Sequence, residues 1–493
     1  MRKKTLLVLA LALVIRLIYL KEIPESLFGD VIYHLNLAKN FSVVRWGGDG
    51  AMFPLITSII TRLIGFKFLT LKLISVTLSV LMVWATILYV SELTKSKKAG
   101  LYAGLLMTSS FWSISISHIG KPIVLVPLFA ALIGYFLLKK RFVVSGILIG
   151  LSLYTQAAAW GLFLLSFAHP LTLLASIVAG FFFFRELTTA PDTFFSASSH
   201  IGEKLQINSY SVVSSLQIVG IILYNLLRQV RGLFIFGDKS FRTTVPGQPL
   251  LDPITGFFLI AGVVFGILTL KKIINSPEKG QMIKKLFWPI GVCLIIPFFL
   301  IQLPAILDIH NLVYIPNNER ISGVMPFIFA IAGYGLWKLE KQLNISKKIK
   351  TALVGFIFVL IVSINLYRYW VIYPKTLPNH NVAFAEEIGK RTALIDSSTP
   401  VFVIGSGWGE WGQPEGNAFE FVDAGRRKLP NSIESSQICN YLPKDKKEAV
   451  FLTSPTDFSI GNTVNNCGWR VSKKEMVIKK GQNISQFFFI TKP

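Results

Sequence analysis

The sequence predicts a polytopic α-helical membrane protein of about eleven spans, followed by a small α/β domain outside the bilayer. Only 15% of its 493 residues are charged and 52% are hydrophobic, whereas a soluble domain carries roughly 25% charged residues. Apolar runs of bilayer length recur up to about residue 372, and beyond Tyr373 the composition turns mixed, with Pro374 and Pro378 marking the change. The mean hydropathy of +0.56 agrees with that division.

The runs cover residues 5–20, 68–90, 101–117, 123–138, 142–154, 254–270, 286–303, 321–337 and 352–370, each near the roughly 20 residues that cross a bilayer. Residues 157–184 are also apolar but are interrupted by His169-Pro170. They form either one long span or a hairpin of two short ones. In the first case residues 211–236 are a further span, and in the second they lie outside. Both counts give about eleven crossings, and the hairpin is the preferred reading.

A net charge of +24 raises the question of nucleic acid, but its distribution answers otherwise. Basic residues gather in alternate loops: Arg2-Lys3-Lys4, Lys95 to Lys98, Lys139-Lys140-Arg141, Lys271-Lys272 with Lys284-Lys285, and Lys338 to Lys350. That alternation is the positive-inside pattern. It places the N-terminus in the cytoplasm and turns outward the loops 21–67 and 303–320 and everything after Trp370. A multi-pass protein of the plasma membrane is expected, with the lipid bilayer as a partner and no nucleic acid. No small-residue cleavage site follows the first apolar run, so it reads as a retained span.

The chain divides into a membrane unit, 1–372, and a soluble extracytoplasmic domain of about 120 residues, 373–493. In the latter, residues 401–404, 449–453, 476–479 and 487–490 read as strands and 381–392 as a helix. Gly405-Ser406-Gly407-Trp408-Gly409 lacks the spacing of a phosphate loop and reads as a turn beside a strand. Cys439 and Cys467 both fall in this outward tail, where a disulfide between them is expected. Cys293 lies in a span as a small core residue. No Cys/His cluster has metal-site spacing, so no cofactor or metal is evident. Three glycosylation sequons occur, at Asn40, Asn344 and Asn483. Such short patterns arise often by chance, and the second lies in a cytoplasmic loop.

Loop 21–67 is too long for a simple connection. Residues 31–41 and 53–64 suit helices lying in the membrane interface, and Asp30 begins the first of them. From local sequence, Asp30 is either a helix N-cap or a carboxylate held at the membrane surface as a general base.

The order of short motifs resembles the GT-C superfamily of membrane glycosyltransferases, in particular the protein mannosyltransferase-like branch, glycosyltransferase family 39. Gly29-Asp30-Val31…Tyr33 resembles the acidic motif after the first span. Phe53-Pro54-Leu55 with Gly65 is similar to the second interfacial helix. Ala99-Gly100-Leu101…Ala103-Gly104, Ser117-His118, Gly150-Leu151-Ser152-Leu153-Tyr154-Thr155, the stretch from Pro249 to Gly256, and Asn318-Glu319-Arg320 with Pro326 follow in the family's order. The chain departs from the pattern where Val31 replaces a Glu and His118 an Arg, and at Gln156 and Trp160.

The resemblance implies an inverting hexosyl- or pentosyltransferase that takes a sugar from a polyprenyl-phosphate donor to an acceptor (protein, lipid or glycan) on the outer face. Asp30 is the implied base. Lys121, Arg320, Arg45 and His118 are the implied partners of the donor phosphate, since phosphate favours charge-assisted hydrogen bonds. For each the alternative is a cation snorkelling at a helix end. Tyr33 either positions the donor or anchors the interface, and Asp49 and Glu319 are secondary acids or solvated loop residues. A transporter of lipid-linked saccharide is the competing class, but it would place ionisable groups in mid-span and repeat its halves. A catalytically silent scaffold is the third reading, kept open by Val31.

Overall fold

The computed structural model describes residues 2–25, 29–39, 50–189, 215–275, 280, 286–306, 316–410, 412–423, 427, 432–457 and 459–493. The chain forms two compact units: Met1–Leu20 with Leu37–Tyr373, and Lys21–Asn36 with Pro374–Pro493.

The first unit is helical. Its early elements are α1 (Arg2–Leu17), α3 (Met52–Ile64), α4 (Phe68–Leu93), α5 (Lys97–Ser109), α6 (Phe111–His118), α7 (Leu125–Leu138) and α8 (Phe142–Ser152), while α2 (Gly29–Lys39) begins in the other unit. Among the described residues, four helices are long and apolar enough to cross a membrane, or up to six if each bent pair is one span. Shorter apolar helices account for several of the remaining predicted runs.

The run expected at 101–117 is one of the bent pairs, with α5 and α6 at 59°. The break has a cause in side chains. The Phe111 amide donates to Asn365 Oδ1 (3.0 Å), and the Thr108 carbonyl accepts from Arg16 (3.3 Å), so groups released from the helical ladder are satisfied laterally. Residues 157–184 break where the sequence suggested. A tight helix at Ala157–Ala168 ends in extended His169, and α9 (Pro170–Ala179) opens on Pro170, whose missing N–H costs nothing at a first helical position. At Gly180 the chain bends by 64° into α10 (Phe181–Thr189). The Ser215–Phe234 helix, which carries Asn225, Arg228, Gln229 and Arg231, is not among the span candidates.

Later helices at Pro253–Ile274 and Met325–Gln342 pack at glycine. A Cβ on Gly262 would stand 2.0 Å from the Ile331 carbonyl oxygen, and one on Gly335 would stand 2.2 Å from that of Phe258. Backbones approach this closely only where side chains are absent, the usual device of helix association in lipid. Arg16 is one of several charged or polar side chains buried in this unit, with Lys72 and Asn365 among the others. It is fully buried and donates to Ser79 Oγ (2.8 Å), the Ala12 carbonyl (3.1 Å) and Ser113 Oγ (2.7 Å) besides Thr108, tying α1 to α4, α5 and α6.

The second unit carries a four-stranded sheet in the order β1-β2-β4-β3, with β1 Val401–Ile404, β2 Glu448–Thr453, β3 Arg470–Lys479 and β4 Gln482–Thr491. β1 pairs with β2 in parallel, and the other pairs are antiparallel. β3 and β4 run longer than the predicted 476–479 and 487–490, because the Lys480-Gly481 turn, with both φ positive, closes a two-residue hairpin whose twist matches its strands. One face packs Phe451, Phe488 and Ile490 against Ile438, Ile460 and Val464. The Cys439–Cys467 disulfide forms as expected, and Cys293 is free and buried. The helix expected at 381–392 is Phe384–Thr392. Gly405, Gly407, Gly409 and Gly412 all have positive φ, and the amides of Gly407 and Trp408 point to the Gly412 carbonyl, so this stretch is a turn beside β1.

Candidate active site

At one end of the first unit, where α6 finishes and the Met325–Gln342 helix is about to begin, polar side chains collect in a buried layer. α6 is a short helix of Phe, Trp, Ile and Ser ending in His118, and every one of its residues is buried. Gly120 follows with a φ of +81°, a backbone that glycine adopts without steric cost. It turns the chain into Lys121, and Pro122 then starts the next helical turn. Lys121 is only 5% exposed. Its Nζ donates to Glu319 Oε2 (3.2 Å) and Oε1 (3.5 Å). Lys121 is thus held inside by the Glu319 carboxylate.

Glu319 and Arg320 belong to a tight turn that precedes the Met325–Gln342 helix. The turn is set by Asn317 Oδ1, which accepts the Arg320 amide (3.0 Å), and by Trp112, whose indole N–H donates to the Asn318 carbonyl (3.3 Å). The Asn318 amide donates to Asp238 Oδ2 (3.0 Å), and the Ser240 amide to Asp238 Oδ1 (2.8 Å). Burial pushes the Asp238 carboxyl up to about 6 against the lowering pull of those two amides; Glu319 raises it further and Arg320 lowers it. Neighbouring bonds complete the layer: Ser115 Oγ donates to the Thr243 carbonyl (2.8 Å) and Tyr373 Oη to that of Arg242 (2.6 Å). The His118 ring stands edge-on to Tyr369, centroids 5.0 Å apart.

Lys121, Glu319 and Arg320 are therefore brought to one turn-rich layer together with Asp238. His118 lies fully buried on the Tyr369 ring beside it. Asp30 is the second residue of α2, and it belongs to the second unit with Tyr33. Tyr33 is about half exposed and packs edge-on against His34. Arg45 and Asp49 lie outside the described residues.

Sequence reading missed Asp238 and took Asn318 only as part of the Asn318-Glu319-Arg320 motif. Asp238 sits in the loop between the Ser215–Phe234 and Pro253–Ile274 helices, flanked by Gly237 and Lys239, and nothing local separates it from a solvated turn residue. Asn318 is fully buried, and its side-chain amide makes no hydrogen bond among the described residues. A polar group of that kind calls for an explanation. Among the described residues, no group of three His, Cys, Asp or Glu side chains is placed to hold a metal ion.

Two resemblance motifs resolve into structure. Asp252 caps the Pro253–Ile274 helix, accepting the Thr255 amide (2.9 Å), and also accepts from Asn365 Nδ2 (2.9 Å). The Tyr154 carbonyl accepts the Met52 amide (3.0 Å), which fixes the start of α3.

The architecture has known counterparts. ArnT from Cupriavidus metallidurans bound to undecaprenyl phosphate matches with a TM-score of 0.55 at 11% identity, over 98% of this chain and 97% of that one. The apo state of the same protein gives 0.52 with the same identity and coverage. The chain has the GT-C fold. The fold expected from the order of motifs is the fold observed. A looser likeness, to the Archaeoglobus fulgidus oligosaccharyltransferase in complex with Zn and sulfate, has a TM-score of 0.49 at 12% identity over 91% of this chain and 68% of that one, and adds no weight. No protein-family model matches the sequence, and no curated protein matches it significantly.

Proposed function

We propose that this GT-C chain is an inverting glycosyltransferase that moves a sugar from a polyprenyl-phosphate donor to an acceptor at the outer membrane face, with Asp30 as general base. The observation that carries the reading is the likeness, over nearly the full length of both chains, to a protein bound to undecaprenyl phosphate. The mannosyltransferase-like branch is the part of the superfamily we favour, on the motifs at Asp30, Phe53 to Leu55 and Pro249 to Gly256.

The chemistry follows from the groups available. An acceptor hydroxyl attacks the anomeric carbon, its proton passes to Asp30, and the bond from that carbon to the phosphate oxygen breaks. One carboxylate suffices for a direct displacement, in contrast with the pair needed in hydrolysis. The departing phosphate gains charge, and cations aimed at it in a water-poor site stabilise it most where that charge develops. Lys121, Arg320 and Arg45 take that role, with His118 as a further donor and Tyr33 placing the donor sugar. Glu319 then holds Lys121 ready until a phosphate displaces its carboxylate. Asp238 and Asp49 are the secondary acids. Residues 1–372 are the catalytic membrane domain, with a cytoplasmic N-terminus, and 373–493 an extracytoplasmic domain.

Purified protein in lipid, offered a panel of labelled polyprenyl-phosphate sugars with hexose and pentose headgroups, tests this directly. Wild type is expected to transfer, and Asp30→Asn to lose roughly 100- to 10,000-fold in kcat. Equal transfer by both removes Asp30 from the mechanism. Movement of the intact lipid-linked saccharide across the bilayer without transfer favours the transporter.

A further inference from the structure

The segment that leads into Asp30 folds with the tail. Residues Lys21–Asn36 form one compact unit with Pro374–Pro493, and the bonds that hold them there are specific. Asn381 is 6% exposed and sits in the left-handed region, at φ 67° and ψ 42°, which asparagine tolerates better than most residues. Its side chain reads the backbone of the segment as a complementary strand would. Oδ1 accepts the Glu25 amide (2.7 Å), and Nδ2 donates to the Glu22 carbonyl (2.6 Å).

A second grip comes from the tip of the β3–β4 hairpin. Lys480 Nζ pairs with Glu25 Oε2 (2.9 Å) and donates to the Asn381 carbonyl (3.3 Å). Lys479 Nζ bridges Glu25 Oε1 (3.2 Å) and Glu387 Oε1 (2.9 Å). The side chains of Lys479 and Glu25 are 16% and 18% exposed, so this is not the open surface pair that contributes little. Two separate parts of the tail thus meet on Glu25, the left-handed turn at Asn379, His380 and Asn381 and the hairpin tip, and Glu387 of the Phe384–Thr392 helix joins them through Lys479.

We infer that the tail domain is a positioning device for the Asp30 segment, with Asn381, Lys479 and Lys480 as positioning residues that fix where α2 begins. The inference rests on the reading of Asp30 as the base. Asp30 lies only a few residues beyond Glu25, and a base must be held to within about half an ångström of its productive place. Release of the grip therefore lowers kcat more than it raises the KM for the donor, because the donor phosphate contacts lie on other residues and only Tyr33, which places the sugar, moves with the segment.

Asn381→Gly is the informative variant. Glycine keeps the left-handed backbone without strain but removes both amide bonds. In full-length protein in lipid, the amides of residues 22–36 are expected to exchange hydrogen roughly tenfold faster than in wild type, and kcat to fall by a similar factor with a smaller rise in KM. Lys480→Glu should have a smaller effect, restored by adding Glu25→Lys. Unchanged exchange in Asn381→Gly overturns the grip. Faster exchange with unchanged kcat, while Asp30→Asn still abolishes transfer, overturns positioning and leaves the base intact. If Asp30→Asn transfers as well as wild type, the base reading fails and the positioning role falls with it. The exchange measurement distinguishes that failure from loss of the grip, because it needs no activity.

Discussion

The two units bury their apolar residues in opposite directions. In the helical unit, large apolar side chains such as Leu7, Ile267, Phe356 and Val359 point outward, and only 11% of the Lys347–Thr376 window is buried, against 72% for Ser322–Gln342. In the tail, Phe451, Phe488 and Ile490 point inward against helices, and a disulfide closes the loop around them. The tail is held by removal of apolar surface from water. Helices in lipid gain nothing from that, since the solvent is as apolar as the side chains. They associate through close backbone approach and buried polar bonds. The contrast teaches that a single polar side chain is worth most where the surroundings are greasiest.

The largest effect is therefore expected at Arg16. Arg16→Leu leaves Ser79, Ser113 and the Thr108 carbonyl without their donor and should cost about 3–5 kcal/mol, read as a steep fall in Tm in detergent. An unchanged Tm would break the comparison at its strongest point. The tail has its own large term. Replacing Cys439 and Cys467 together by Ser opens a crosslink 28 residues apart in sequence and should cost about 3.5 kcal/mol by loop entropy. Limited proteolysis should then cut the tail first and spare the helices; simultaneous loss of both would show the two units to be one cooperative block.

Asp238 sharpens the comparison by pH. Its carboxyl is raised from 3.8 to about 6 by burial, so the protonated form is the one the fold favours. The stability it contributes is complete below pH 3.8 and is lost as pH rises through about 6, a swing of about 3 kcal/mol. Asp238→Asn should flatten that part of the Tm–pH curve, and a slope equal to wild type would assign the dependence to another group. The smallest effect is expected at Asp252, the helix cap. Asp252→Ala should cost about 1–2 kcal/mol, with the Asn365 donor also unpaired, and a variant as stable as wild type would show that the cap is dispensable.

Legibility followed the same division. Helix positions from α3 to α8, the strands of the tail and the disulfide were readable because each depends on local periodicity or on a small number of partners. β3 and β4 were underestimated because the lysines of β3 mask a strand whose length is set by its hairpin turn. In the site, Lys121, Glu319 and Arg320 were legible as charges at span ends. Asp238 was not, because a buried acid and a solvated one look alike until Asn318 and Ser240 are seen donating to it. Arg16 stood in plain view inside an apolar run, but its partners come from α4, α5 and α6, far along the chain.

The sequence by itself determined that this is a membrane chain, and the order of its motifs resembled the GT-C family. Hydropathy, composition and local spacing carry that information residue by residue. Tertiary structure alone decided where Arg16 of α1 is satisfied, where the broken helix bends, which acid is raised, and that residues 21–36 fold with the tail. Those are outcomes of long-range hydrogen bonds between segments up to 359 residues apart, and no local pattern encodes them. Such a bond forms only after the rest of the chain has placed both partners.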